Sequence, residues 1–144
     1  MKLGVDTSVI VAAVHANHPM HVPAATWLDD AFSSHELVVA HHSVLETYAV
    51  LTRLPAKYRL SPSEAQMVIH GTLHGNAHIA PFDSGSVWES LDAIIAAPAA
   101  GGAAYDAFII HLLATAGAER IVTYNVREFR RLAHEISVSE PSDL

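Results

Sequence analysis

The chain has 144 residues, a length that suits one domain able to bury a core without covalent staples. Its composition, 51% hydrophobic and 16% charged, excludes a disordered chain, and the lack of cysteine excludes disulfides, thiolate zinc, iron–sulfur clusters and a cysteine nucleophile. The formal charge of −7 argues against a uniformly phosphate-binding surface, because neutralising phosphates takes Lys and Arg.

Met1–Val5 carries one positive charge and an apolar stretch too short for a secretory signal. No apolar run approaches the roughly 20 residues that span a bilayer, so a cytoplasmic address and no membrane partner are expected. Lys2–Val5 reads as a short strand ending at Asp6, and Thr7–Asn17 as an apolar helix that Asp6 or Thr7 can cap. Pro23 stands where a second helix begins, carrying Ala24, Ala25, Trp27, Leu28 and Phe32. Glu36–Ala40 is a short buried strand, and Ser43–Leu54 an amphipathic helix with Val44, Leu45, Tyr48 and Leu51 at helical spacing. Ser61-Pro62-Ser63-Glu64 opens another helix, with Pro in the first turn and an acid near the positive dipole end. His78–Pro81 reads as a third strand, Ser84–Ala97 as a helix and Pro98–Gly102 as a loop. Ala103–Gly117 is an Ala-rich helix stopped at Gly117, Arg120–Tyr124 a strand, Val126–Ala133 a last helix and Glu135–Val138 an edge strand.

There is no internal repeat and no linker, so residues 1–144 are expected to form a single domain. Short apolar strands alternating with longer helices predict an α/β fold. The expected form is a three-layer α/β/α sandwich around a central, mostly parallel sheet of four to five strands. Such folds place their sites at the carboxyl ends of strands, which points to Asp6 and to Tyr124-Asn125.

Four polar positions interrupt apolar segments. Asp6 ends the first strand, Glu46 lies within the helix that includes Ser43–Leu54, Asp106 sits near the start of the Ala-rich helix, and Asn125 follows the strand RIVTY. An acid beside a buried run is costly unless it is paired, caps a helix or holds a metal. Each acid taken alone has a plain reading as a cap, a dipole partner or an exposed side chain. No Lys or Arg sits beside Asp6 or Asp106 in sequence, and hard oxygen ligands without Cys suit Mg²⁺ or Mn²⁺.

These motifs, strand-Asp6-Thr7-Ser8-Val9, a lone Glu46, Tyr105-Asp106-Ala107 opening a helix and Val122-Thr123-Tyr124-Asn125-Val126-Arg127-Glu128-Phe129, resemble the PIN domain. Their compact spacing most resembles the VapC toxins of type II toxin–antitoxin modules, over nearly the whole chain. The resemblance implies that Asp6, Glu46 and Asp106 are the acidic site residues, with Asp6 and Asp106 on the metal. It implies Thr7, Ser8 and Thr123 as supporting hydroxyls and places Asn125 where many relatives carry a fourth acid. It further implies Mg²⁺- or Mn²⁺-dependent endonucleolytic cleavage of RNA, a homodimer, and a small VapB-like antitoxin that blocks the site. Arg53, Lys57, Arg127, Arg130 and Arg131 fall in two basic clusters and are the candidates for RNA contact. The alternative is a catalytically weak or inactive RNA- or protein-binding module, which Asn125 would favour.

Other strand-Asp enzymes fail on the letters. A haloacid-dehalogenase phosphatase needs an Asp where Ser8 stands, and a receiver domain needs a Lys after its last strand, where none occurs. No Gly-x-Ser-x-Gly elbow or Walker loop is present. The chain carries 11 histidines; His70, His74 and His78 are spaced by four, and His15, His18 and His21 by three. Such spacing can chelate zinc or nickel. However, Gly71 and Gly75 weaken one helix and Pro19 breaks the other, so a structural or surface role is expected.

Overall fold

Apolar residues occupy both faces of nearly every strand, which demands helices on both sides of the sheet. The computed structural model describes residues 1–144. Its elements run β1 (Lys2–Val5), α1 (Thr7–Val14), α2 (His21–Ser34), β2 (Glu36–Ala40), α3 (His41–Thr52), α4 (Pro62–Leu73) and β3 (His78–Ala80). They continue with α5 (Val87–Ala96), α6 (Ala103–Thr115), β4 (Arg120–Val122), α7 (Val126–Leu132) and β5 (Ser137–Ser139), before a 3₁₀ turn at Pro141–Asp143. The sheet has five strands in the order β3-β2-β1-β4-β5. Every pairing is parallel, with Leu3 opposite Leu37 and Gly4 opposite Ile121 beside the central strand. No helix is long and apolar enough to cross a membrane.

Strand alternation divides the core in two. Leu3, Val5, Leu37, Val39 and Val122 face one way and pack with Val9 and Ile10 of α1, Leu28 of α2, Leu51 of α3 and Ile69 of α4. Val38, Ala40, Ile121 and Val138 face the other way, against Ile109 and Leu113 of α6 and Phe129 of α7. The second face closes tightly over β1. A Cβ at Gly4 would lie 2.9 Å from Leu113 Cδ1 and 3.2 Å from Leu113 Cβ, so glycine is what lets α6 approach the central strand.

Several expected boundaries move. Helix α1 ends at Val14 rather than Asn17, because His15 is already extended and Pro19 follows. Helix α2 begins at His21, so Pro23 is its third residue rather than its first. Proline is tolerated through the first turn, where amides lack intrahelical partners. Strand β4 ends at Val122, two residues short of the expected Tyr124, and β5 covers Ser137–Ser139 rather than Glu135–Val138. The helix opening at Ser61 is as expected. Ser61 Oγ accepts from Glu64 N at 3.2 Å and Glu64 Oε1 accepts from Ser61 N at 3.1 Å, a reciprocal capping box. The two histidine series do not share helical faces: His78 lies in β3, and His15, His18 and His21 surround the α1–α2 turn.

Candidate active site

Strand order decides where a site can form. The chain leaves β1 towards β2 and β3, then returns on the opposite side as β4 and β5. The crevice outside the carboxyl ends of β1 and β4 is therefore the topological switch point of the sheet. Asp6 follows β1, and Thr123, Tyr124 and Asn125 follow β4. The Asp6 amide donates to Val122 O at 3.0 Å, which ties the two strand ends together.

Asp6 is 4% exposed and caps α1, its side chain accepting from Ser8 N. Its Oδ2 accepts from Ser8 N at 3.2 Å, Ser8 Oγ at 2.7 Å and Thr123 Oγ1 at 2.8 Å. The two hydroxyls are themselves held by backbone donors. Tyr124 N donates to Ser8 Oγ at 3.0 Å, and Asn125 N donates to Thr123 Oγ1 at 2.9 Å. Each hydroxyl has one proton, and both protons point at Asp6. The 3.2 Å approach of Ser8 Oγ to Thr123 Oγ1 is then a consequence of their shared acceptor, not a further bond. All three donors bind Oδ2, and no side chain donates to Oδ1. Burial raises the Asp6 pKa, and the bonds from Ser8 and Thr123 oppose that rise. Thr7, the third expected hydroxyl, is buried with its Oγ1 unpartnered and stays outside this network.

Asp106 lies in the first turn of α6, and Glu46 in α3. Together with Asp6 and Asn125 they line one open cavity of about 560 Å³. The Asp106 carboxyl is pushed up from 3.8 to about 6, first by burial and then by the charges of Asp6, Glu46 and Glu128. No Lys or Arg lines the cavity to offset those charges. His42 Nε2 lies 3.3 Å from Glu46 Oε2, one helical turn away on α3, and the His42 ring stacks on Tyr105 with centroids 5.3 Å apart. Asn125 occupies the N-cap position of α7 yet makes no side-chain capping bond, so its amide is free.

The donor set fits a hard divalent cation. No three His, Asp or Glu side chains converge closely enough to be joint ligands as they stand. Mg²⁺, however, commonly binds one or two carboxylates and keeps several waters. Asp6 and Asp106 would supply two such carboxylates, and their mutual repulsion is what a cation would relieve.

One cavity acid went unnoticed in the sequence, and one cavity histidine was expected to have only a structural or surface role. Glu140, just past β5, adds a further carboxylate, and its charge together with burial raises the Tyr124 pKa, burial being the larger cause. The rule that sites gather at strand ends could have found it, had β5 been placed one residue later. His18, one of the series His15, His18 and His21, lines the cavity from the α1–α2 turn, where that spacing alone gave no sign of a place in the site. The five basic candidates lie elsewhere. Arg53 and Lys57 are exposed beyond α3, and Arg127 is exposed on α7. Arg130 donates to Val138 O at 3.2 Å and Arg131 pairs with Glu128, so both guanidinium groups are engaged within the chain.

The fold and this crevice define a parallel α/β protein with an acidic site at its switch point. A sequence model of the PIN domain matches residues 4–135. Ribonuclease VapC27 of Mycobacterium tuberculosis is 32% identical over 129 residues, covering 89% of this chain and 85% of that protein. The chain superposes on VapBC2 from Rickettsia felis, solved bound to a DNA fragment from their promoter, with TM-score 0.70 and 15% identity. That match covers 97% of this chain and 98% of the other. It also superposes on Mycobacterium tuberculosis VapC20, described as a sarcin-ricin loop cleaving toxin, with TM-score 0.66 and 15% identity over 88% and 92% of the two chains. The chain belongs to the PIN-domain family, among the ribonucleases of the VapC type.

Proposed function

We propose that this protein is a divalent-metal-dependent endoribonuclease and the toxin of a type II toxin–antitoxin pair. The observation that carries this reading is the cavity at the switch point, which Asp6, Glu46, Asp106 and Asn125 line together and no lysine or arginine enters. Asp6 and Asp106 would hold Mg²⁺ or Mn²⁺, with the neutral Asn125 amide beside them. When bound, the ion supplies positive charge for the scissile phosphate and for the attacking water. The protein's share is positioning. Ser8 and Thr123 lock Oδ2 of Asp6 so that Oδ1 keeps one direction.

The partners fit two exposed apolar surfaces. One is a cavity of about 500 Å³ between α3 and α4, lined by Val44, Leu45, Tyr48, Ile69 and Leu73. The other is a stripe on α5 in which Val87, Trp88, Leu91 and Ile95 face solvent. Surfaces of this kind mark protein contacts, and the reading assigns them collectively to a second copy of the chain and to a small VapB-like antitoxin. Metal-dependent cleavage of total RNA by the purified protein, abolished by EDTA and by Asp6→Asn, is the expected result. Metal-independent cleavage, or equal cleavage by Asp6→Asn, would refute it. RNA binding without cleavage would favour the alternative, an inactive binding module, which the neutral Asn125 supports.

A further inference from the structure

RNA entering the acidic cavity meets no lysine or arginine side chain there. The one imidazole in its wall belongs to His18, half-buried on the turn between α1 and α2. Backbone bonds hold that turn: His18 N donates to His15 O, and His21 N donates to His18 O, each at 2.9 Å. The ring is held as well. Met20 N donates to His18 Nδ1 at 3.0 Å, so Nδ1 must carry a lone pair and the neutral ring carries its proton on Nε2. Burial, then the neighbouring His15 and His21, push the His18 pKa below the usual imidazole range, which favours the neutral ring.

In that tautomer neither nitrogen has a lone pair to spare. Nδ1 is engaged by an amide and Nε2 is protonated, so the ring is suited to donate a hydrogen bond rather than to ligate a metal. Among the acceptors an RNA strand brings into the cavity, the charged phosphate oxygens make the strongest hydrogen bonds. We propose that His18 is a substrate-contacting residue of this site, donating its Nε2–H to a phosphate oxygen of the bound RNA. The proposal rests on the ribonuclease reading above, and it moves RNA contact inside the cavity from the arginines to the α1–α2 turn.

The test compares wild type, His18→Ala and His18→Gln in steady-state cleavage of a short single-stranded RNA, with Mn²⁺ binding measured separately by calorimetry. Losing a hydrogen bond to a charged oxygen should raise KM by about 10- to 100-fold, with kcat largely kept. Gln, which can place an amide N–H near the Nε2 position, should recover much of that loss. Mn²⁺ affinity should stay within about twofold of wild type, because His18 is not a ligand. If His18→Ala does not fold, His18→Phe keeps the ring without its nitrogens and carries the same expectation. An unchanged KM in the folded variant, or a matching loss of Mn²⁺ affinity, overturns the proposal while leaving the ribonuclease reading in place. A wild-type protein that neither binds nor cleaves RNA overturns both.

Discussion

Replacing Asp106 with Asn removes a charge from a place where the folded chain resists it. The carboxyl titrates at about 6 in the folded protein, against 3.8 ordinarily, because burial and the charges of Asp6, Glu46 and Glu128 disfavour ionisation. A group harder to ionise when folded costs nothing below about pH 3.8 and increasingly more up to about pH 6. Above that the cost is full. Fully sealed, the carboxyl would lose about 3 kcal/mol of stability at neutral pH. Solvent reaches much of this half-buried group, and screening brings the cost to roughly 1–2 kcal/mol. In EDTA at pH 7.5, Asp106→Asn should therefore melt about 3–8 °C above wild type, and the gain should vanish near pH 4. Saturating Mn²⁺ should reverse the order. Binding at 100 times the dissociation constant stabilises wild type by about 2.7 kcal/mol, while the variant has lost a ligand. Thermal melts followed by circular dichroism, at two pH values with and without Mn²⁺, read all of this. A variant that melts lower than wild type in EDTA at both pH values would refute the reasoning and leave Asp106 a partner of the α6 dipole.

Asn125→Asp should lower the Mn²⁺ concentration for half-maximal cleavage by roughly 3- to 10-fold through added negative charge, and Asn125→Ala should raise it. Coincident metal titrations for wild type and both variants would put Asn125 outside the metal's surroundings. Thr123→Val removes a donor from buried Asp6 and the acceptor of Asn125 N, and should cost about 1–3 kcal/mol in urea unfolding. That deficit should be larger at high pH, where Asp6 is ionised, and a pH-independent loss would tie it to the Asn125 amide alone. Gly4→Ala drives a Cβ to within 2.9 Å of Leu113 Cδ1 and should cost about 1–3 kcal/mol, read as a lowered melting temperature with unchanged metal binding. An unaltered melting temperature would mean that α6 shifts freely over β1.

Local chemistry made much of this protein legible. Lys2–Val5, Glu36–Ala40 and the Ala103 helix could be read because apolar periodicity is written into consecutive residues, and the Ser61 cap because its partner is three positions away. Asp6 and Asp106 stood out because a carboxylate beside an apolar run needs a reason. The family motifs then supplied their common purpose. The ends of elements were less legible, since α1 and β4 stop where tertiary hydrogen bonds and chain reversal stop them. What only the tertiary structure decided is which side chains share the cavity. Glu140 and His18 enter it from the end of β5 and the α1–α2 turn, and Arg130 and Arg131 turn to partners within the chain instead. The physical reason is strand order. Pairing β1 with β4 across more than a hundred residues sets which loops face each other, and no residue near Glu140 or His18 in sequence carries that information.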